Sequence, residues 1–266
     1  MHRRDAGKDS FTAAAQGLRH APVRMPRAGS RTEPAPVRSV VRATLFTALA
    51  GLATAPAFAA SPSLFGTTEF QAEALRELPQ WQAVLARMAA EAPVIASCRA
   101  ASEHCPTRAT RTWARLLHRL DGAPPLTQLR EVNRFVNGRR YRSDAENYGR
   151  SDYWATPLEF FRRAGDCEDY VIAKYRSLRL LGVPAERMRL VVLQDVARDL
   201  PHAVLAVYQG DAILILDNLT DAVLPQKRLP HYVPYYSINE TARWAHLAPD
   251  SPDLAGAVPA GSAAAD

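Results

Sequence analysis

The sequence predicts an α+β fold in which a helical N-terminal half packs on an antiparallel sheet, and three observations predict it. Between residues 70 and 181 apolar residues recur at helical spacing. From residue 189 onward, short runs rich in Val, Leu and Ile alternate with turn residues. Helices come first and strands follow, without the alternation that builds a parallel sheet.

The elements follow in order. Ala43–Thr54 is an uncharged, mostly apolar stretch preceded by Arg38 and Arg42, and Ala57-Phe58-Ala59 follows as a small-x-small pattern. This is the layout of a secretory signal peptide, too short for a spanning helix of about 20 residues. The alternative is an uncleaved membrane anchor. The stretch before Arg38 is long for a leader, and Met25 is a second possible start. Residues 1–59 are therefore expected to be an N-terminal extension and signal peptide, with an exported domain over 60–247. The segment 248–266, rich in Ala, Pro, Ser and Gly, is expected to be a disordered tail.

Within the domain, Phe70–Ala90 has helical spacing through Leu75, Leu78, Trp81, Val84, Leu85 and Met88, with Pro79 as a break or fresh start. Arg108–Leu120 carries Trp113, Leu116, Leu117 and Leu120 on one stripe, and Leu126–Val136 follows Pro124-Pro125. A polar, turn-rich segment spans Asn137–Tyr153. Thr156-Pro157-Leu158-Glu159 is a helix start with a cap, a proline pre-set for the first turn and a capping-box glutamate. A further helix is predicted from Cys167 to Leu181, stopped by Gly182 and Pro184. Arg189–Gln194, His202–Tyr208 and Ala212–Asp217 read as strands. Gln209-Gly210-Asp211 makes a hairpin of the last two, and Tyr232–Ser237 is a further strand candidate.

The net charge of +6 resides in residues 1–59, which hold nine Lys/Arg against three acids, so residues 60–266 are neutral. A neutral body argues against nucleic acid as a partner. Export bears on the cysteines too. Cys98 and Cys105 are expected to form a local disulfide in an oxidising compartment, the alternative being two free surface thiols. Cys167 is left unpaired.

Cys167 stands at a predicted helix N-terminus, where free amides and the helix dipole stabilise a thiolate. Such a nucleophile needs a base, and the base an orienting group. His202 begins one strand of the hairpin and Asp217 ends the other. Counted from Gly210, the two lie eight residues before and seven after, so antiparallel pairing brings them to the same sheet end. His118, His231 and His246 lack such a partner. Asp166 and Glu168 flank the cysteine. Read from the residues alone, they cap the helix and favour its first turn.

Five segments resemble the bacterial transglutaminase-like cysteine proteinases, and within them the LapG type of periplasmic protease. They are Asp152-Tyr153-Trp154-Ala155-Thr156-Pro157, Gly165-Asp166-Cys167-Glu168-Asp169-Tyr170, Leu181-Gly182-Val183-Pro184, His202-Ala203-Val204-Leu205 and Leu216-Asp217-Asn218-Leu219. Leu78-Pro79-Gln80-Trp81 and Val84–Met88 fit the same family, so the likeness spans roughly residues 65–220. The resemblance implies a transglutaminase-like, papain-like cysteine protease core with Cys167, His202 and Asp217 as the catalytic triad. It implies Ca2+ bound near the nucleophile by Asp166 and Glu168. Asp152 and Asp144 are further candidate ligands from the preceding segment, and Asn147 is a weaker one. It also implies a surface adhesin cut in its N-terminal region to control biofilm attachment, and sequestration by an inner-membrane receptor of the LapD type that responds to cyclic-di-GMP. The same fold hosts transglutaminases and amidases, and a non-enzymatic calcium-dependent binding module is a further alternative.

Overall fold

The computed structural model describes residues 63–72 and 78–247. The expected leader and tail lie outside the described residues. Helix α1 (Pro79–Ala100) opens with Pro79 at a first-turn position and buries Trp81, Val84, Met88, Ile95 and Cys98. It is longer than its sequence pattern suggested and runs through Pro93. The segment before it departs from the expected helix: Thr68–Ala72 is a strand, β1. It pairs antiparallel with β7 (Arg243–Leu247), and this long-range ladder overrides the local helical spacing.

Helix α2 (Arg108–Leu120) is fixed at its start by a capping box between Thr107 and Thr110. Helix α3 (Pro125–Asn137) follows, and a short helix α4 (Asp144–Tyr148) lies inside the segment expected to be turns. Helix α5 (Pro157–Arg163) begins on the predicted Thr156/Glu159 capping box. Helix α6 (Cys167–Leu180) is the central one, with nine of its residues buried. Indole N–H groups fasten the helices at depth. Trp113 donates to Ser177 Oγ at 2.9 Å, and Trp81 donates to the Asn239 carbonyl at 2.7 Å. Trp81 is fully buried, so its truncation to alanine should cost about 3–5 kcal/mol.

The sheet is antiparallel throughout. Its strands are β2 (Met188–Asp195), β3 (Leu200–Gln209), β4 (Ala212–Leu216), the two-residue β5 (Leu224–Pro225) and β6 (Tyr232–Ile238), with β1 and β7. Their order is β1-β7-β6-β2-β3-β4-β5. Alternation along each strand gives the sheet two apolar faces. Leu190, Ala203, Leu205 and Val207 join the helices in the main core, while Val191, Leu193, Val204 and Ala206 form a second cluster with Leu64, Leu229 and Tyr232. Among the described residues, no helix is long and apolar enough to cross a membrane.

One further tie sets up the site. Arg87 of α1 binds Glu159 Oε2 at 2.6 Å and also donates to Tyr153 Oη and the Trp154 carbonyl. A single guanidinium thus holds the loop that runs into α5, using the planar donor array that suits arginine to such a junction. The Cys98–Cys105 disulfide is present, and it closes the end of α1 against the start of α2.

Candidate active site

Cys167 is the first residue of α6, and it is the free cysteine of the described residues. Helix α6 packs against β3, and the backbone amide of Ala203, the neighbour of His202, acts on the thiol. The start of the central helix therefore meets the sheet at the strand end predicted to carry the base. The thiol donates a hydrogen bond to Glu168 Oε2 at 3.1 Å and makes none to His202. Burial first, and then the Glu168 carboxylate, push the thiol pKa well above its ordinary value; the Ala203 amide works the other way.

His202 Nε2 lies 2.9 Å from Asp217 Oδ1, with both residues almost wholly buried. The register explains the pairing. The β3–β4 ladder ends at Leu205↔Leu216, which leaves Asp217 level with Val204 and makes His202 its diagonal neighbour on the same face. The two are offset by one pleat from being directly opposite. Asp217 also accepts from Tyr232 Oη at 2.6 Å and from the Leu219 amide at 2.9 Å. Burial opposes its charge, but the hydrogen bonds from His202, Tyr232 and Leu219 win and hold its pKa below the usual value. An ionised carboxylate only accepts, so Nε2 of His202 carries a proton and Nδ1 is the basic nitrogen.

Tyr232 escaped the sequence reading as a site residue. It enters from β6, which lies two strands from β3 in the sheet, so no local spacing links it to Asp217.

Beyond the thiol stands a group of acids. Asp144, Asp166 and Asp169 each place a carboxylate oxygen within 4.8 Å of the others. Asp144 and Asp166 were sequence candidates; Asp169 was not. The available signal was its position three residues after Asp166, which puts both on one side of the helix start. Asp166 stands at the N-cap of α6 but makes no side-chain cap hydrogen bond. Asp169 accepts from the Ala155 amide at 2.6 Å, and Asp144 accepts from the Tyr153 amide. Their other oxygens, Asp169 Oδ2 and Asp144 Oδ1, are buried without a donor. Gly165 completes the cradle, because a Cβ there would sit 2.0 Å from Asp169 Oδ2.

The remaining candidates stand around this group. Glu168 turns to the thiol. Asp152 accepts from Gln80 Nε2 at 2.9 Å near the surface. Asn147 donates to the Ala164 carbonyl and accepts from Arg142. Burial and the neighbouring carboxylates push Asp166 up to about 9, while burial outweighs the Ala155 hydrogen bond and pushes Asp169 up to about 8. Converging, under-satisfied oxygens with raised pKa values could hold a hard cation that prefers oxygen ligands.

Residues 88–251 match the family described as bacterial transglutaminase-like cysteine proteinase BTLCP. No curated protein matches the chain significantly. Among solved structures, Legionella pneumophila LapG is 30% identical, with a TM-score of 0.51 over 57% of this chain and 87% of that one. An EGTA-treated form is 29% identical, with a TM-score of 0.52 over 58% and 86%. A calcium-bound form is 33% identical, with a TM-score of 0.49 over 52% and 78%. The family match covers more than half of the chain, which belongs to the bacterial transglutaminase-like cysteine proteinases.

Proposed function

We propose that this protein is a periplasmic, calcium-dependent cysteine endopeptidase that cleaves the N-terminal region of a large surface adhesin and so controls biofilm attachment. The reading is supported by Cys167 at the start of α6, a helix that packs on the strand carrying His202, and by the buried His202–Asp217 pair. Export through the leader at 1–59 and sequestration by a LapD-type inner-membrane receptor belong to the same proposal. They rest on the leader pattern and on the family.

In the mechanism, the thiol leaves Glu168 and gives its proton to Nδ1 of His202. The thiolate attacks the peptide carbonyl carbon, and the oxygen that gains charge is met by the Cys167 amide, which is free at the helix start. His202 passes its proton to the departing amine as the C–N bond breaks. It then takes a proton from water, whose oxygen attacks the thioester. The acid leaves and the thiol is restored. Asp217 holds the imidazole by Nε2 and supports its positive charge, and Tyr232 holds Asp217.

Asp144, Asp166 and Asp169 would hold the calcium, a reading supported by their two donorless buried oxygens. Calcium takes six to eight oxygens, so these side chains form part of its shell. When bound, it would supply positive charge beside Glu168 and tie α4 to α6. The test is incubation of mature protein with adhesin N-terminal fragments, with calcium or with a calcium-selective chelator. Cleavage that needs both calcium and Cys167 is expected; equal cleavage by Cys167→Ala would overturn the proposal.

A further inference from the structure

Lys174 is wholly buried in α6, seven residues after Cys167, and its Nζ has no hydrogen-bond partner. An ammonium has three donors and no acceptor, so burying it bare is costly. Burial lowers its pKa to about 7, and Asp217 and Asp221 are the charges that oppose the fall. The ring of Tyr170, one turn back on the same helix, lies 5.9 Å from Nζ. Both of those carboxylates, Asp217 and Asp221, belong to the loop after β4.

Helix α3 grips the same loop from its own side. Asn137 Nδ2 donates to the Asp217 carbonyl at 2.9 Å, to the Thr220 carbonyl at 2.9 Å and to Asp221 Oδ1 at 3.2 Å. Asn133, fully buried, donates to the Thr220 carbonyl at 2.9 Å. The Oδ1 atoms of Asn133, Asn137 and Asn218 are all buried without a donor. The loop is thus held by amide hydrogen bonds from α3, while Lys174, whose Nζ has no partner, acts on its two carboxylates by charge.

We propose that Asn133, Asn137 and Lys174 are positioning residues, a buried polar clamp that fixes the Asp217–Asp221 loop and through it the His202 imidazole. The inference rests on the reading of Cys167, His202 and Asp217 as the reacting set. Asparagine can direct its amide at two carbonyls at once, and the lysine adds charge that draws the loop carboxylates inward. The Asp217 side chain is already satisfied by His202, Tyr232 and Leu219. The clamp therefore acts on the backbone that carries it.

The test uses the full mature chain carrying Asn137→Ala or Lys174→Met, beside wild type and Cys167→Ala. Asn137 is only partly buried and its truncation spares the core, so it carries the test if Lys174→Met fails to fold. Two readouts are taken. One is the downfield proton resonance of His202 Nε2–H in histidine-labelled protein, which is independent of turnover. The other is kcat against KM on an adhesin N-terminal fragment. The expected result is a weakened or lost resonance with kcat reduced about tenfold to a hundredfold at near-constant KM, the size of effect that small misplacements of reacting groups produce. An unchanged resonance in folded Asn137→Ala, or a kcat within twofold of wild type, would overturn the clamp. Failure of the wild type itself to cleave would instead count against the peptidase reading, and the resonance would still decide the clamp.

Discussion

The thiol of Cys167 donates to the carboxylate of Glu168, its immediate neighbour in the chain, at 3.1 Å. This bond favours the protonated thiol and, in the proposed mechanism, competes with transfer to His202. Glu168→Gln removes the negative charge while keeping the shape. The expected outcome is faster alkylation of Cys167 by iodoacetamide in calcium-free buffer. An alkylation rate equal to wild type would show that Glu168 does not restrain the nucleophile.

Cys167, His202 and Asp217 should behave as one unit. Cys167→Ala, His202→Ala and Asp217→Ala should each lower kcat at least about a thousandfold while leaving a cooperative thermal transition, and double variants should be little worse than singles. Tyr232→Phe removes one hydrogen bond to Asp217 and should cost far less, about tenfold. Single-turnover kinetics on an adhesin fragment distinguish these cases, and additive losses in the doubles would break the unit apart.

The disulfide should be structural. Cys98 and Cys105 are seven residues apart and both buried, and a loop of that size contributes about 2–3 kcal/mol in the chain-entropy picture. Replacing both by serine should lower the denaturation midpoint and leave turnover measurable at low temperature. A folded double variant without any activity would contradict this.

Much of the site was legible because its signals are local. Cys167 follows a helix-start pattern, and Thr156 and Glu159 spell out a capping box that the structure contains. His202 and Asp217 were placed by counting around Gly210, and the count failed only by the one-pleat offset. What was not legible depends on long-range pairing. Phe70–Ala72 reads as helix until Arg243–Leu247 offers a ladder, and Tyr232 reaches Asp217 from a strand with no sequence proximity. Asp169 was overlooked for a different reason. Its place in the acidic group depends on the missing side chain of Gly165 and on the Ala155 amide, neither of which spacing alone reveals.

Calcium should couple to pH with a definite sign. Asp166 is pushed up to about 9 and Asp169 up to about 8 in the metal-free fold, against about 3.9 for aspartate in an unfolded chain. Between those values the folded state holds more protons than the unfolded one, so metal-free stability falls as pH rises from about 4 to about 9. Calcium requires both carboxylates ionised, and its binding releases protons. Thermal unfolding with a chelator should therefore show Tm falling across that window, while saturating calcium flattens the slope and raises Tm most at the alkaline end. Magnesium, which demands a smaller and stricter octahedral shell, should not substitute. Gly165→Ala offers a check that removes no carboxylate but displaces one: the added methyl collides with Asp169 Oδ2. It should abolish the calcium-dependent rise in Tm, measured beside calorimetric titration of the ion. A Tm–pH profile of the wild type that is identical with calcium and with chelator would refute the site and return Asp166 and Asp169 to purely structural roles at the start of α6.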